Sequence, residues 1–121
     1  TGSYNDAKHE LNNLLKDAVS TRLFADVPVG SFLSGGVDSS LIAAKATETS
    51  SSKIKTFSVK FNEKGFDESK YAQQVADHLQ TDHHVIECNY KEGIDLIENF
   101  SHYYDEPFAD SSAIPSMLLS K

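Results

Sequence analysis

The segment from Val29 to Ser40 constrains the fold of this chain more than any other feature. It begins with a short apolar run over residues 29–33, passes through Ser34 and two adjacent glycines, and continues into residues that favour a helix. A short apolar run bounded by turn residues is typical of a buried strand. A strand that leads through glycines into a helix is a building unit of open α/β sheets.

A long helix is predicted before this segment. Apolar residues recur at helical spacing over residues 7–23, and Asn5 or Asp6 can cap the helix. The positions expected to face the core are Leu11, Leu14, Leu15, Ala18, Val19 and Leu23.

Helix and strand patterns alternate after the glycines. A helix is predicted from Ser39 to about Ala46, followed by a strand over residues 55–61, where apolar and polar residues alternate. The chain is expected to turn at residues 62–65. A helix over 71–79, capped near Asp67, then leads to a third strand over residues 84–88.

The last part of the chain is predicted to be helical. Residues 91–104 are predicted to form a helix with one apolar face, which comprises Ile94, Ile97, Phe100 and Tyr104. Another helix is predicted to begin near Ser111 or Ser112. The βαβαβ order predicts an α/β domain with a parallel, doubly wound sheet, covered on both faces. Since sheets average about five to six strands, three strands lead us to expect a truncated domain.

The composition argues against several partners and locations. The 121 residues include 11 Lys and Arg against 18 Asp and Glu, a formal net charge of −7. This charge disfavours duplex nucleic acid and anionic membranes as partners, and no apolar stretch approaches the length of a membrane span. The single cysteine, Cys88, is expected to be a small core residue without an intrachain disulfide. We therefore expect a cytoplasmic protein, of which these residues form an excised segment.

The two glycines predict an anion site. The first turn of the helix that follows them offers free N–H groups and the positive end of the helix dipole. Gly35 and Gly36 let the main chain approach a phosphate closely, while the hydroxyls of Ser34, Ser39 and Ser40 add donors without charge. The loop therefore predicts a phosphate cradle.

Two well-known phosphate loops do not match this one. Gly36 and Val37 stand where a P-loop has Lys and Ser or Thr, and no G-x-G-x-x-G occurs in the chain. The residue that distinguishes this loop is Asp38. A carboxylate beside phosphate fits a Mg²⁺ ligand, although Asp38 could equally cap the helix.

The five histidines do not favour a zinc site. His83 and His84 are neighbours on a predicted strand and therefore point to opposite faces of the sheet, and the other three share no ligand spacing; these are His9, His78 and His102.

Residues 34–40 resemble the SGGxDSS pyrophosphate loop of the N-type ATP-pyrophosphatases. Those enzymes activate an oxygen as its adenylate, release pyrophosphate, and let a nitrogen nucleophile displace AMP. Beyond the loop, five more segments are similar to the synthetase domain of the glutamine-hydrolysing asparagine synthetases, and the similarity begins at about residue 8: residues 26–30, 56–59, 72–79, 83–84 and 105–113.

This resemblance implies a fold and a set of ligands. The fold is that of the adenine nucleotide alpha hydrolase-like (HUP) domains, truncated here, with residues 1–121 as a fragment of the domain and 1–6 as a linker. Phe32 or Leu33, together with Val59, would contact the adenosine of ATP, and Asp38 would hold Mg²⁺ as the catalytic and metal-binding residue. The pyrophosphate part of ATP would be bound by Ser34, Gly35, Gly36, Val37, Asp38, Ser39 and Ser40.

The resemblance also implies the reaction and partners of the complete enzyme. ATP would activate the side-chain carboxylate of aspartate, or of a similar acceptor, and ammonia from a glutaminase domain of the same full-length chain would give asparagine. The oligomeric state of the full-length enzyme stays open, with a homodimer as one candidate. Asp105, Glu106 and Asp110 would lie near the acceptor or the metal, or else form a solvated loop with helix caps.

Departures from the family pattern limit what residues 1–121 would do alone. Val37 replaces a leucine of many members, a conservative exchange. Neither the glutaminase nucleophile nor the downstream acidic segment of the family is present, so we expect this piece to be catalytically incomplete. Three alternatives stay open: a related amidotransferase or β-lactam synthetase with another acceptor, a non-catalytic adenine-nucleotide-binding module, or self-association through an exposed sheet edge.

Overall fold

The structure, a computed structural model, describes residues 2–61, 67–106, 110 and 112–120, and of residues 90 and 92 only the backbone. The turn expected at residues 62–65 lies outside the described residues. So do residues 107–109 and 111 of the acidic run.

Three parallel strands form one sheet in the described part of the chain. They are β1 (Gly30–Phe32), β2 (Lys55–Phe61) and β3 (Asp82–Cys88), in the order β1-β2-β3. Phe57 pairs with Phe32 on one side and with His84 on the other. The predicted parallel α/β architecture is confirmed, and β2 has its predicted bounds.

Helices cover both faces of the sheet. On one face, α2 (Val37–Thr49) and α3 (Ser69–Leu79) pack around Leu33 in a core of small side chains: Ala43, Ala72 and Ala76. On the opposite face, α4 (Tyr90–Glu98) and α6 (Ala113–Leu119) enclose a second core made of Cys88, Leu96, Met117 and Leu118. The sheet is therefore doubly wound, and Cys88 is the buried core residue that was expected.

Helix α1 (Tyr4–Leu23) differs from its prediction at its start and in its packing. Its cap is Ser3, not Asn5 or Asp6: the Ser3 hydroxyl accepts from the Asp6 N–H, and the Asp6 carboxylate accepts from the Ser3 N–H at 2.8 Å. Residues 4–6 thus form the first helical turn. Only Val19 of this helix is buried, because α1 packs mainly along α2 and not on the sheet, so Leu11 and Leu14 stay exposed.

The bounds of the middle elements differ by a few residues from those predicted. Strand β1 is shorter than the apolar run, and β3 starts two residues before His84, because Asp82 continues the ladder opposite Lys55. Helix α3 begins at Ser69 with Glu68 at its N-cap position, and the Asp67 carboxylate accepts the Ser69 N–H at 3.1 Å, as expected for a cap near Asp67.

The helix predicted over 91–104 is two helices. Helix α4 ends at Glu98, and α5 (Phe100–Tyr103) follows Asn99, whose side-chain amide donates to the Asp95 carbonyl at 2.7 Å. The buried side of α4 also differs from the predicted face. Leu96, absent from the predicted face, is 2% exposed, whereas Ile97 is 57% exposed. The last helix begins at Ala113 after Ser112, as predicted.

Candidate functional site

The loop between β1 and α2 is held by serine hydroxyls. The Ser34 and Ser39 hydroxyl oxygens lie 2.9 Å apart, and the Ser39 hydroxyl also donates to the Gly36 carbonyl at 3.2 Å. The Gly36 N–H in turn donates to the Ser34 hydroxyl oxygen at 3.3 Å. These bonds fold the residues between the strand and the helix into a closed turn.

Gly35 lies in a position that only glycine can occupy. Its φ is +82°, in the left-handed region, and a Cβ added there would lie 2.5 Å from Tyr71 Cβ and 2.6 Å from the Ala72 main-chain nitrogen. Such a contact cannot be relieved by a side-chain rotation, because one partner is backbone. The loop therefore rests directly on the first turn of α3.

The first turn of α2 is open to an anion. Gly36 is the N-cap and has no side chain, and the first intrahelical bond joins the Ser40 N–H to the Gly36 carbonyl at 3.0 Å. The N–H groups of the preceding three residues have no acceptor among the described residues; these belong to Val37, Asp38 and Ser39. Free N–H groups and the positive dipole end of a 13-residue helix favour a bound phosphate here.

Asp38 does not cap α2, which corrects one of the two interpretations of this residue. The cap position belongs to Gly36, and Asp38 lies in the first turn, exposed. Within the described part of the chain its carboxylate has no hydrogen-bond or ion-pair partner. An exposed carboxylate without a partner beside an anion site suits a Mg²⁺ ion that is shared with phosphates.

A cavity of about 300 Å³ lies beside this loop, at the carboxyl end of the sheet. Phe32, Leu33 and Ser34 enter it from β1 and the loop, and Val59 enters it from β2. The structure thus brings together four of the residues that the sequence assigned to the nucleotide. Its volume is at the lower end of the range for small-molecule sites.

The cavity exists because β1 ends before β2 does. The Leu33 N–H donates to the Phe57 carbonyl at 2.7 Å, and β1 pairing stops there. In a parallel ladder every second residue directs its N–H and C=O to the same neighbouring strand, so Val59 directs both groups past the end of β1. Among the described residues these two groups of Val59 have no partner on that side. They form a donor and an acceptor, side by side, facing the cavity.

The residues that form the other walls of the cavity were not predicted from the sequence. Glu68 and Ser69 at the start of α3 line one side, and Phe57, Ser58 and Phe61 extend the β2 wall. The remaining lining residues are Ser112, at the N-cap of α6, and three residues within α6: Pro115, Ser116 and Leu119. The sequence could have placed Glu68 and Ser69 at the cavity, because the start of a helix after a parallel strand lies at the carboxyl edge of the sheet. No sequence pattern places the α6 residues there, since the position of α6 against the sheet depends on tertiary packing.

Other predicted residues lie away from the cavity. Val37 is 82% exposed at the first position of α2. The Ser40 hydroxyl is buried without a hydrogen-bond partner in the described part of the chain, and Ser40 lines a separate depression between α2 and α3. Asp105 and Glu106 are exposed.

Asp110 behaves as a local turn residue before α6. Its carboxylate accepts the Ser112 N–H at 2.8 Å, and this backbone hydrogen bond, with the Ser112 side chain, lowers the pKa of Asp110. This contact favours the capping interpretation for Asp110.

His83 and His84 point to opposite faces, as predicted. His83 bonds to Thr56 and Ser58, while the His84 ring stacks on Phe57 with the ring centres 5.3 Å apart. Across residues 2–61 and 67–106 and the described part of the C-terminal segment, no three His, Cys, Asp or Glu side chains form a metal-binding group. Over the same residues, none of the helices has the length and apolar character that spanning a membrane requires.

Comparison with known proteins confirms the family to which the sequence is similar. The sequence profile of the Asparagine synthase family matches residues 10–121. The chain is 43% identical over 113 residues to a relative from Methanocaldococcus jannaschii that is named for glutamine-hydrolysing asparagine synthetase, a match that covers 93% of this chain and 22% of the relative. It is 38% identical over 112 residues to asparagine synthetase 1 of Bacillus subtilis, covering 93% of this chain and 18% of that enzyme.

A third relative, asparagine synthetase B of Escherichia coli, is 34% identical over 130 residues, covering 94% of this chain and 23% of the relative. The chain therefore spans about a fifth of the length of the curated relatives it matches. Domains of this family have the HUP-like fold, which agrees with the three parallel strands and the helices on both faces. On its sequence and its architecture, the chain belongs to the Asparagine synthase family.

Proposed function

We propose that this chain binds ATP with Mg²⁺ and forms the nucleotide half of the synthetase site of a glutamine-hydrolysing asparagine synthetase. The observation that carries the proposal is the cavity at the end of β1. There the two free main-chain groups of Val59 face a pocket that begins at Ser34, the first residue of the glycine loop.

Val59 accounts for a preference for adenine. The Val59 N–H would donate to N1 of adenine, and its C=O would accept from the 6-amino group. Guanine presents a donor at N1 and an acceptor at position 6. The Val59 N–H would therefore face another donor, and its C=O would face another acceptor. Leaving two polar groups unpaired in a closed site is strongly unfavourable, and we expect GTP to be rejected.

The glycine loop and the first turn of α2 would hold the phosphates. The free N–H groups of Val37, Asp38 and Ser39 are fixed before the ligand arrives, because Gly35 is wedged against α3 and the Ser34–Ser39 contact closes the turn. Donors that need no rearrangement stabilise the charge that develops on the leaving pyrophosphate. Asp38 would hold Mg²⁺, which neutralises phosphate charge when it is bound.

The complete enzyme would use this site to activate aspartate. The residues of this chain bind and orient ATP, so that the aspartate carboxylate can attack its α-phosphorus and release pyrophosphate. Ammonia from a glutaminase domain would then displace AMP to give asparagine. The relatives are named for this glutamine-dependent synthesis, which supports the proposal. A cytoplasmic location belongs to the same proposal.

The test is a calorimetric titration of Mg·ATP, ATP with EDTA, and Mg·GTP into this chain and into Asp38→Asn. We expect binding of ATP, none of GTP, and in the variant a loss of the part of the affinity that depends on Mg²⁺. Asp17→Asn, which removes an exposed carboxylate on α1, is the matched control and should bind as the native chain does. Equal binding of ATP and GTP would contradict the adenine assignment, and no binding by the folded chain would overturn the proposal for residues 1–121.

A second measurement separates a synthetase from a module that only retains nucleotide. The full-length enzyme that carries this domain is supplied with ATP and aspartate, and pyrophosphate is assayed. Release that depends on aspartate supports the synthetase function. ATP retained without pyrophosphate release would show a binding module, and release with another carboxylate alone would show a related amide-forming enzyme.

A further inference from the structure

A row of four hydrogen-bonded side chains crosses from β3 to β2 on the face that α3 covers. The Thr81 and Thr56 hydroxyl oxygens lie 2.8 Å apart, and Thr56 Oγ1 lies 2.9 Å from His83 Nδ1. The other ring nitrogen, His83 Nε2, lies 3.2 Å from Ser58 Oγ. Thr56 is fully buried, and Ser58 is 3% exposed.

Ser58 is the residue of this row that lies at the nucleotide cavity. Ser58 lines the cavity and directly precedes Val59, whose main chain faces the same space. The other three members, Thr56, Thr81 and His83, do not line the cavity. Ser58, which lines the ligand space, is thus tied through the half-buried imidazole of His83 to groups that do not line it.

The imidazole gives the row two directional states. Burial lowers the pKa of His83, so the ring is neutral near pH 7 and carries one N–H donor and one acceptor. With the proton on Nε2, the ring donates to Ser58 and leaves the Ser58 proton free for another acceptor. With the proton on Nδ1, the ring accepts the Ser58 proton, and Ser58 offers only lone pairs.

We propose that Ser58 contacts the nucleoside part of the bound nucleotide and that His83 is the positioning residue that sets the direction of its hydroxyl. The proposal rests on the proposed function, because it takes the cavity to be the nucleoside site. A nucleoside group that hydrogen-bonds to Ser58 selects one of the two states, so binding shifts the tautomer of His83. A row that served only to tie β2 to β3 would not respond to a ligand.

The first test uses the native chain with uniform ¹⁵N labelling. Two-bond ¹H–¹⁵N spectra report which ring nitrogen of each histidine carries the proton, and the spectrum of His83→Gln identifies the signals of His83. We expect adenosine and Mg·ATP to change the two ¹⁵N shifts of His83, while those of His9, on α1, stay constant. Unchanged His83 shifts at saturating Mg·ATP would overturn the proposal.

The second test measures affinity by calorimetry. Removing one hydroxyl that bonds the nucleoside should weaken binding about three- to tenfold, so we expect this loss for ATP and adenosine in Ser58→Ala, and none for pyrophosphate. Ser58→Thr keeps the hydroxyl and should recover most of the affinity. Ser20→Ala, which removes an exposed hydroxyl on α1, is the matched control and should bind all three ligands as the native chain does.

The outcomes separate this proposal from the function on which it rests. If the native chain binds neither ATP nor adenosine, the proposed function fails for this chain, and the role of Ser58 fails with it. If the native chain binds both, while Ser58→Ala binds them equally well, only the role of Ser58 is wrong. Far-UV circular dichroism of each variant checks that the fold is retained, and the titration of the native chain needs no variant at all.

Discussion

Gly35 and Tyr71 are in direct contact across the junction between the glycine loop and α3. A Cβ on Gly35 would lie 2.5 Å from Tyr71 Cβ, and the φ of Gly35 is +82°. The loop that follows β1 is therefore shaped by the helix that follows β2. This contact couples the anion site to the packing of the whole face.

Replacement of this glycine should damage both stability and binding. In Gly35→Ala the strained φ and the close contact act together, and we expect a loss of about 2–4 kcal/mol in the free energy of unfolding and of measurable ATP binding. Gly93→Ala is the control, because no atom lies within 4 Å of the added Cβ within α4, and alanine should stabilise that helix by about 0.5–1 kcal/mol. Urea denaturation measures the free energy of unfolding of both variants, and calorimetric titration measures their ATP binding. A Gly35→Ala chain as stable as the native one would contradict the close contact between Gly35 and α3.

The Ser34–Ser39 contact should appear as an energetic coupling. The 2.9 Å separation of the two hydroxyls predicts that Ser34→Ala and Ser39→Ala are non-additive, with a coupling of about 0.5–1 kcal/mol in the free energy of unfolding. A double-mutant cycle by urea denaturation measures this coupling. Strictly additive effects would show that the two serines stabilise the loop independently.

His83 should make stability depend on pH below neutrality. Burial, and to a smaller extent the neighbouring His84, holds the pKa of His83 below its usual value of about 6.5. The unfolded chain therefore takes up a proton near pH 6.5 that the folded chain still excludes. His83 thus contributes its full stability above pH 6.5, and this contribution falls as the pH drops towards the pKa of the folded state.

Urea denaturation at pH 7.5, 6.5 and 5.5 tests this pH dependence. The free energy of unfolding of the native chain should decrease across that range, and His83→Gln should show a shallower decrease. His9→Gln, at an exposed position of α1, should keep the native slope. Identical slopes for the native chain and His83→Gln would argue against a suppressed protonation of His83.

The burial of Leu96, and not of Ile97, predicts which residue of α4 stabilises the domain. Leu96 is 2% exposed in the core with Met117 and Leu118, so Leu96→Ala should cost about 2–4 kcal/mol. The adjacent Ile97 is 57% exposed, and Ile97→Ala should cost less than about 1 kcal/mol. Thermal unfolding compares the two variants, and the reverse order would restore the face predicted from the sequence.

Several parts of the candidate site follow from residue order alone. A strand, two glycines and a helix must place the first-turn N–H groups at the carboxyl edge of the sheet, because only residues 33–36 lie between β1 and α2. The order of residues 34–40 is therefore sufficient to predict an anion site there. The alternation over residues 55–61 gave β2 its correct bounds for a similar reason, since strand periodicity is local.

The sequence by itself determined the order of the three strands and of the helices between them, because helix spacing, strand alternation and glycine turns depend on residues that are close along the chain. Only the tertiary structure decided which groups meet. That β1 ends short of Val59, that α6 lines the cavity through Ser116 and Leu119, and that Leu96 is buried in place of Ile97 all depend on contacts between residues distant in sequence. Burial is a property of what packs against a side chain, and local periodicity carries no information about that partner.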